Sequence, residues 1–130
     1  MLDSLRILVV DDHPVNRLVL QEIFTHLGGV VSVAETGVQA LSILAVDHFD
    51  LICLDRHMPG LSGDEVAARL PREQFVLAWS TELCDLPTRF NGALAKPVSL
   101  AAAQAAMTRA WAWRIWAAPR DPEVAPRVAA

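Results

Sequence analysis

The sequence predicts an α/β fold, a doubly wound parallel sheet of five strands with helices on both faces. Three observations carry this. Short apolar runs recur five times, at residues 6–10, 30–34, 50–55, 75–79 and 93–95. Helical patterns separate the first four. Every run but the second ends in a reactive polar residue. Runs that are apolar throughout suit strands buried on both faces, as in parallel sheets. Alternation of such strands with helices is the signature of this layered architecture.

The elements follow in chain order. Arg6–Val10 (RILVV) is the first strand and ends in Asp11-Asp12. Pro14 suits the first turn of a helix, where its missing N–H costs nothing. Residues 14–27 carry Val15, Val19, Ile23 and Leu27 at a four-residue spacing, and Gly28-Gly29 ends the helix. Val30–Ala34 is the second strand. Residues 37–47 read as a helix with Ala40, Leu41 and Leu44 inward. Asp50–Asp55 (DLICLD) is the third strand, Met58-Pro59-Gly60 a loop, and Asp64–Leu70 a short helix stopped by Pro71. Phe75–Trp79 is the fourth strand and Ala93–Ala95 a short fifth, followed by Lys96-Pro97. Ser99 can cap a long final helix through about Ala117. Residues 1–117 therefore form one domain, and 118–130 (APRDPEVAPRVAA) read as a Pro/Ala-rich tail or linker.

Composition narrows the function. A chain of 130 residues, 53% hydrophobic, can bury a real core and is not disordered by composition. A formal charge of −4 with scattered lysines and arginines offers no basic stripe for nucleic acid. No apolar run approaches the roughly 20 residues of a membrane span. The N-terminus does not read as a signal peptide. Cys53 sits in an apolar run and Cys84 in a loop, without metal-ligand spacing, so both are expected reduced in a cytoplasmic protein.

Parallel strands put their carboxyl ends on one edge, where ligands bind such sheets. Asp11-Asp12, Asp55, Ser80-Thr81 and Lys96 should converge there. Three clustered carboxylates repel, and one would raise its pKa unless a cation intervened. Mg²⁺ fits, because it takes oxygen ligands, one or two carboxylates and phosphate oxygens. A metal, a lysine and a hydroxyl donor make a site for a phosphoryl group in transfer, with one carboxylate as nucleophile. On this reading Asp12→Asn should stabilise the metal-free fold by easing repulsion.

These residues resemble the receiver (response-regulator) domains of bacterial two-component and phosphorelay systems. The resemblance spans roughly residues 5–117. It rests on VVDD (9–12), LDRHMPGLSG (54–63), the Ser80-Thr81 pair and AKP (95–97). It implies a flavodoxin-like (βα)5 sheet in strand order 2-1-3-4-5. It implies that Asp55 is the phosphoacceptor, that Asp12, Asp55 and the backbone carbonyl of His57 hold Mg²⁺ directly, and that Asp11 holds it through water. Ser80 and Lys96 are then the hydroxyl and lysine that contact the phosphoryl group. The implied partner is a histidine kinase or a histidine-phosphotransfer protein. The implied chemistry is limited to the domain's own aspartyl phosphorylation and dephosphorylation. The stretch DDHPVNRLVLQEIFTHLG resembles receivers of hybrid kinases more than those of DNA-binding regulators, with a single-domain regulator as the sibling reading.

Three features depart from that family. Residues 81–92 are few for a full crossover helix and contain Pro87, so the fourth helix is expected short, irregular or absent. The aromatic expected on the fifth strand falls at Ala93, which leaves the usual switch without its residue. The final helix carries Trp111, Trp113 and Trp116. At about 100° per residue, Trp111 and Trp113 point nearly opposite ways, so at least one is expected exposed. That would mark a homodimer or partner-docking face. The first two departures favour an alternative, a pseudo-receiver that binds partners without switching by phosphate. Flavin carriage fits poorly, because the loop after the first strand is acidic and lacks glycine. A phosphohydrolase fits poorly too, since His13 stands where a second acid would follow Asp11.

Overall fold

The computed structural model describes residues 4–117. The tail assigned to 118–130 lies outside the described residues, as do the side chains of Trp116 and Ala117. Five strands form one sheet: β1 (Arg6–Val10), β2 (Val30–Ala34), β3 (Leu51–Asp55), β4 (Val76–Ser80) and β5 (Ala93–Ala95). All neighbours are parallel, in order β2-β1-β3-β4-β5. The helices are α1 (Pro14–His26), α2 (Gly37–Leu44), α3 (Gly63–Ala68) and α4 (Leu100–Ala112), and a π-helical turn, Trp113–Ala117, continues α4. No helix among the described residues is long and apolar enough to cross a membrane.

Side chains alternate across each strand, and this divides the core in two. Ile7, Val9, Leu51, Cys53, Leu77 and Trp79 face α1 and α4, meeting Leu20, Phe24, Ala103, Ala106, Met107 and Ala110. Leu8, Val10, Ile52, Leu54, Val76 and Ala78 face the other way, onto Ala40 of α2 and Val66 and Ala67 of α3. Both faces of the sheet are therefore covered, which is why the strands carry no polar alternation.

The caps follow the sequence. Ser99 Oγ accepts from Ala102 N at 3.0 Å and starts α4. Ser62 and Glu65 form a reciprocal capping box that starts α3. Gly28 at φ +98° closes α1.

Residues 81–92 contain no helix, as Pro87 and the short span predict. Turns carry the chain from β4 to β5. Phe90 is buried on the α2–α3 side of the sheet, and Leu86 and Ala93 pack partly beside it. Asn91 Oδ1 accepts from Val76 N at 2.8 Å, stitching the segment to the start of β4.

Val15 and Val19 are exposed together with Leu18, while α1 buries Leu20 and Phe24. One expectation is corrected. Trp111 and Trp113 do not point to opposite environments. Both are part-buried and pack on the same core layer. The backbone is still α-helical at Trp113, with φ −59°, ψ −45° and its N–H on Arg109 O, and the direction of a long side chain depends on its rotamer as well as on the helical step. Trp113 stacks on Phe75 at 5.6 Å between ring centroids and donates its indole N–H to Glu73 O at 2.8 Å.

Candidate functional site

The carboxyl ends of β1, β3, β4 and β5 gather the polar residues onto one edge. Asp11 is fully buried and Asp55 is 6% exposed, while Asp12 is exposed. Carboxylate oxygens of Asp11, Asp12 and Asp55 all lie within 4.8 Å of one another, close enough to share one cation. Lys96 reaches between two of them, with Nζ at 2.9 Å from Asp11 Oδ2 and 3.4 Å from Asp55 Oδ1.

Backbone geometry fixes the acids. His13 N donates to Asp11 Oδ1 at 2.8 Å, and His57 N donates to Asp55 Oδ1 at 3.3 Å. Burial pushes the Asp55 carboxyl up to about 6. The negative charge of Asp11 adds to the rise, and Lys96 opposes it. Ser80 is buried at the end of β4, and its Oγ accepts from Glu82 N at 3.0 Å. A hydroxyl that accepts there keeps its proton for another acceptor. The His57 imidazole is exposed at the rim, 3.4 Å from Glu82 Oε1. Cys53 is buried in the core beneath the site, and burial pushes its thiol pKa up, away from reactivity.

The glycine at the start of α3 brings that helix against β3. A Cβ at Gly63 would collide with the carbonyl oxygen of Asp55. Gly63 N also donates to Arg56 O at 3.1 Å. The LSG segment thus sets the close approach that shapes the loop after Asp55.

The sequence reading missed two residues. Arg56 is 8% exposed and forks onto Asp64, Nε to Oδ1 at 3.0 Å and Nη2 to Oδ2 at 3.1 Å. Its Nη1 also donates to Glu82 O at 3.2 Å and Cys84 O at 3.1 Å. An arginine directly after a buried strand was the available signal, since arginine is rarely buried without partners. Trp79, 2% exposed, donates its indole N–H to Asp11 Oδ2 at 2.9 Å. A buried indole needs an acceptor, so a tryptophan beside Ser80 was itself a signal.

A parallel α/β sheet with acids, a hydroxyl and a lysine at its carboxyl edge defines a phosphoryl-handling signalling module. The chain belongs to the response regulator receiver domain family, which it matches over residues 7–83. The match ends just inside the helix-less crossover. The chain is 33% identical over 108 residues to the sensor histidine kinase RcsC of Escherichia coli K12, covering 75% of this chain and 11% of that protein. It is 44% identical over 72 residues to the sensor protein EvgS of the same strain, covering 55% of this chain and 6% of that protein. It thus spans only a small part of these relatives. Among solved structures, it is similar to the receiver domain of the sensor histidine kinase PA1611 of Pseudomonas aeruginosa PAO1, which has a magnesium ion in its active site cleft. The TM-score is 0.74 at 26% identity, over 82% of this chain and 96% of that one. It is also similar to the response regulator TrrA of Thermotoga maritima in complex with Mg²⁺ and BeF. Here the TM-score is 0.75 at 28% identity, over 81% of this chain and 97% of that one.

Proposed function

We propose that this receiver domain takes a phosphoryl group onto Asp55 from a phosphohistidine, in a Mg²⁺-dependent reaction. The observation that carries the reading is the convergence of Asp11, Asp12 and Asp55 with Lys96 held between two of them. Asp12, Asp55 and the His57 carbonyl would hold the ion directly, and Asp11 through water. The ion supplies charge neutralisation for the phosphoryl oxygens.

The chain's own residues do the rest. An Asp55 oxygen forms a bond to phosphorus as the P–N bond to the donor histidine breaks, and the electron pair leaves with the imidazole. Lys96 neutralises a phosphoryl oxygen, and the Ser80 hydroxyl donates to another. Asp55 must be ionised to attack. Lys96 and the cation both favour that form, against the burial that raises its pKa.

Similarity to parts of two sensor kinases supports a histidine kinase or histidine-phosphotransfer protein as donor, with the domain working as a hybrid-kinase receiver or a single-domain regulator. Apart from its own aspartyl phosphorylation and hydrolysis, the domain is proposed to catalyse nothing.

The test is incubation with Mg²⁺ and a small-molecule phosphodonor, followed by mass measurement. Wild type should gain one phosphoryl group and Asp55→Ala none. Equal gain in both would end the assignment to Asp55. The helix-less crossover favours a second reading, a partner-binding module that does not switch. Resonances around Asp55 that stay unmoved at saturating beryllofluoride and Mg²⁺ would select it.

A further inference from the structure

Asp11 is the most enclosed charge in the site, and the chain itself supplies its partners. Oδ1 accepts from His13 N at 2.8 Å. Oδ2 accepts from two donors, Lys96 Nζ and Trp79 Nε1, each at 2.9 Å. No surface of Asp11 is exposed, so water cannot readily replace a lost donor. Lys96 also lies 5.2 Å from the centroid of the Trp79 ring, in cation–π range. One side chain therefore touches both members of the pair, giving its N–H edge to the acid and its face to the lysine.

This arrangement bears on a conflict in phosphoryl transfer. Lys96 Nζ sits closer to Asp11 than to Asp55, at 2.9 Å against 3.4 Å, so a shift toward a phosphoryl group on Asp55 would weaken its bond to Asp11. Without a second donor, that move would strand a buried carboxylate oxygen, which is costly. Trp79 is neutral and is locked in the core by β4, so it cannot follow the lysine.

We propose that Trp79 is a positioning residue for the reaction at Asp55, keeping Asp11 Oδ2 bonded while Lys96 shifts from Asp11 to the phosphoryl group. The inference rests on Asp55 being the phosphoacceptor. Trp79 reaches Asp11 across β3, so the carboxyl ends of β1 and β4 are tied over the strand between them.

Two measurements test it. In ¹⁵N-labelled wild type, the Trp79 indole N–H should stay slow to exchange with solvent when Mg²⁺ and beryllofluoride are added. The resonance is assigned by its loss in Trp79→Phe. Exchange as fast as that of an exposed indole in the mimic-bound state overturns the proposal, and this arm needs no folded variant. The second measurement is the phosphorylation rate with a small-molecule phosphodonor at saturating Mg²⁺. Trp79→Phe should slow it on the order of tenfold. In a Lys96→Ala background the same substitution should change the rate less than twofold, because no lysine has to leave Asp11. Equal slowing in both backgrounds indicates a general packing defect and overturns the proposal, as does no slowing in either. If wild type itself gains no phosphoryl group, the acceptor reading fails first. If wild type reacts and Trp79→Phe reacts equally fast, only the role of Trp79 fails.

Discussion

Arg56 and Asp64 form a two-point pair, Nε to Oδ1 at 3.0 Å and Nη2 to Oδ2 at 3.1 Å, directly after β3. The rest of the guanidinium faces the carbonyls of Glu82 and Cys84, at 3.2 and 3.1 Å. The residue after Asp55 thereby holds the segment that replaces a helix between β4 and β5. Ser80 Oγ grips the same segment through Glu82 N. Any shift of Ser80 toward a phosphoryl group must therefore act on a loop that Arg56 restrains.

Arg56→Met should release that loop. The substitution leaves carbonyls of residues 82 and 84 without their donor, and Asp64, part-exposed, returns to water. Removing one partner of a fully buried pair costs about 3–5 kcal/mol, and the exposure of Asp64 reduces this to roughly 2 kcal/mol. Amide exchange at residues 82–85 should accelerate while β1 and β3 keep their protection. Unchanged exchange across 82–85 would mean that the clamp does not order the crossover.

Stability without Mg²⁺ should fall as pH rises through the Asp55 transition. The folded pKa is raised from 3.8 to about 6, so the native state holds a proton there that the unfolded chain has already lost. Stability from this group is therefore present below about pH 4 and lost between pH 4 and 6. Each pKa unit corresponds to about 1.4 kcal/mol, so the loss is on the order of 2–3 kcal/mol. Urea melts at several pH values, with and without Mg²⁺, would measure it. In Asp55→Asn the slope over this window should disappear. A slope that persists there would assign the titration to another group.

Much of this architecture was readable because each strand's pattern had one consistent solution. RILVV, VVSVA and DLICLD have no polar face, so they had to be covered on both sides, and the acids that end the first and third fell on one edge. Pro87 and the short span after Ser80 announced the missing helix. What escaped the sequence was contact between distant positions. Trp79 and Asp11 are 68 residues apart and meet across an intervening strand. Val15, Val19, Ile23 and Leu27 mark a helix without marking its buried face, because a four-residue step overshoots a helical turn by about 40° and the series winds around α1. The packing of Trp111 and Trp113 on one core layer depends on side-chain directions that no periodicity in the sequence marks.

The two glycines of the loop after Asp55 should behave differently. Gly63 cannot accept a Cβ without displacing the Asp55 carbonyl, and the displacement would move the end of β3 itself. Gly63→Ala should cost more than about 2 kcal/mol and reduce phosphoryl uptake. Gly60 has φ +77° with open space around its Cβ position, so Gly60→Ala meets only the backbone cost of about 1–2 kcal/mol. Thermal melts rank the pair. A milder effect at Gly63 than at Gly60 would contradict the close approach of α3 to β3.

Asp12 differs from its neighbour in where it spends its charge. The sequence alone suggested that Asp12→Asn would stabilise the metal-free fold, because three acids converge. Asp12 is exposed, however, and its charge remains solvated, whereas Asp11 is enclosed and is the acid that raises the pKa of Asp55. Asp12→Asn should therefore change metal-free stability by less than about 0.5 kcal/mol. Its effect should appear when Mg²⁺ is added. A ligand present at a hundred times its Kd stabilises the native state by about 2.7 kcal/mol, and losing a direct carboxylate ligand should remove most of that gain. Paired melts with EDTA and with millimolar Mg²⁺ separate the two effects. A large stabilisation in EDTA would return the repulsion to Asp12, and an undiminished Mg²⁺ response would exclude Asp12 as a ligand.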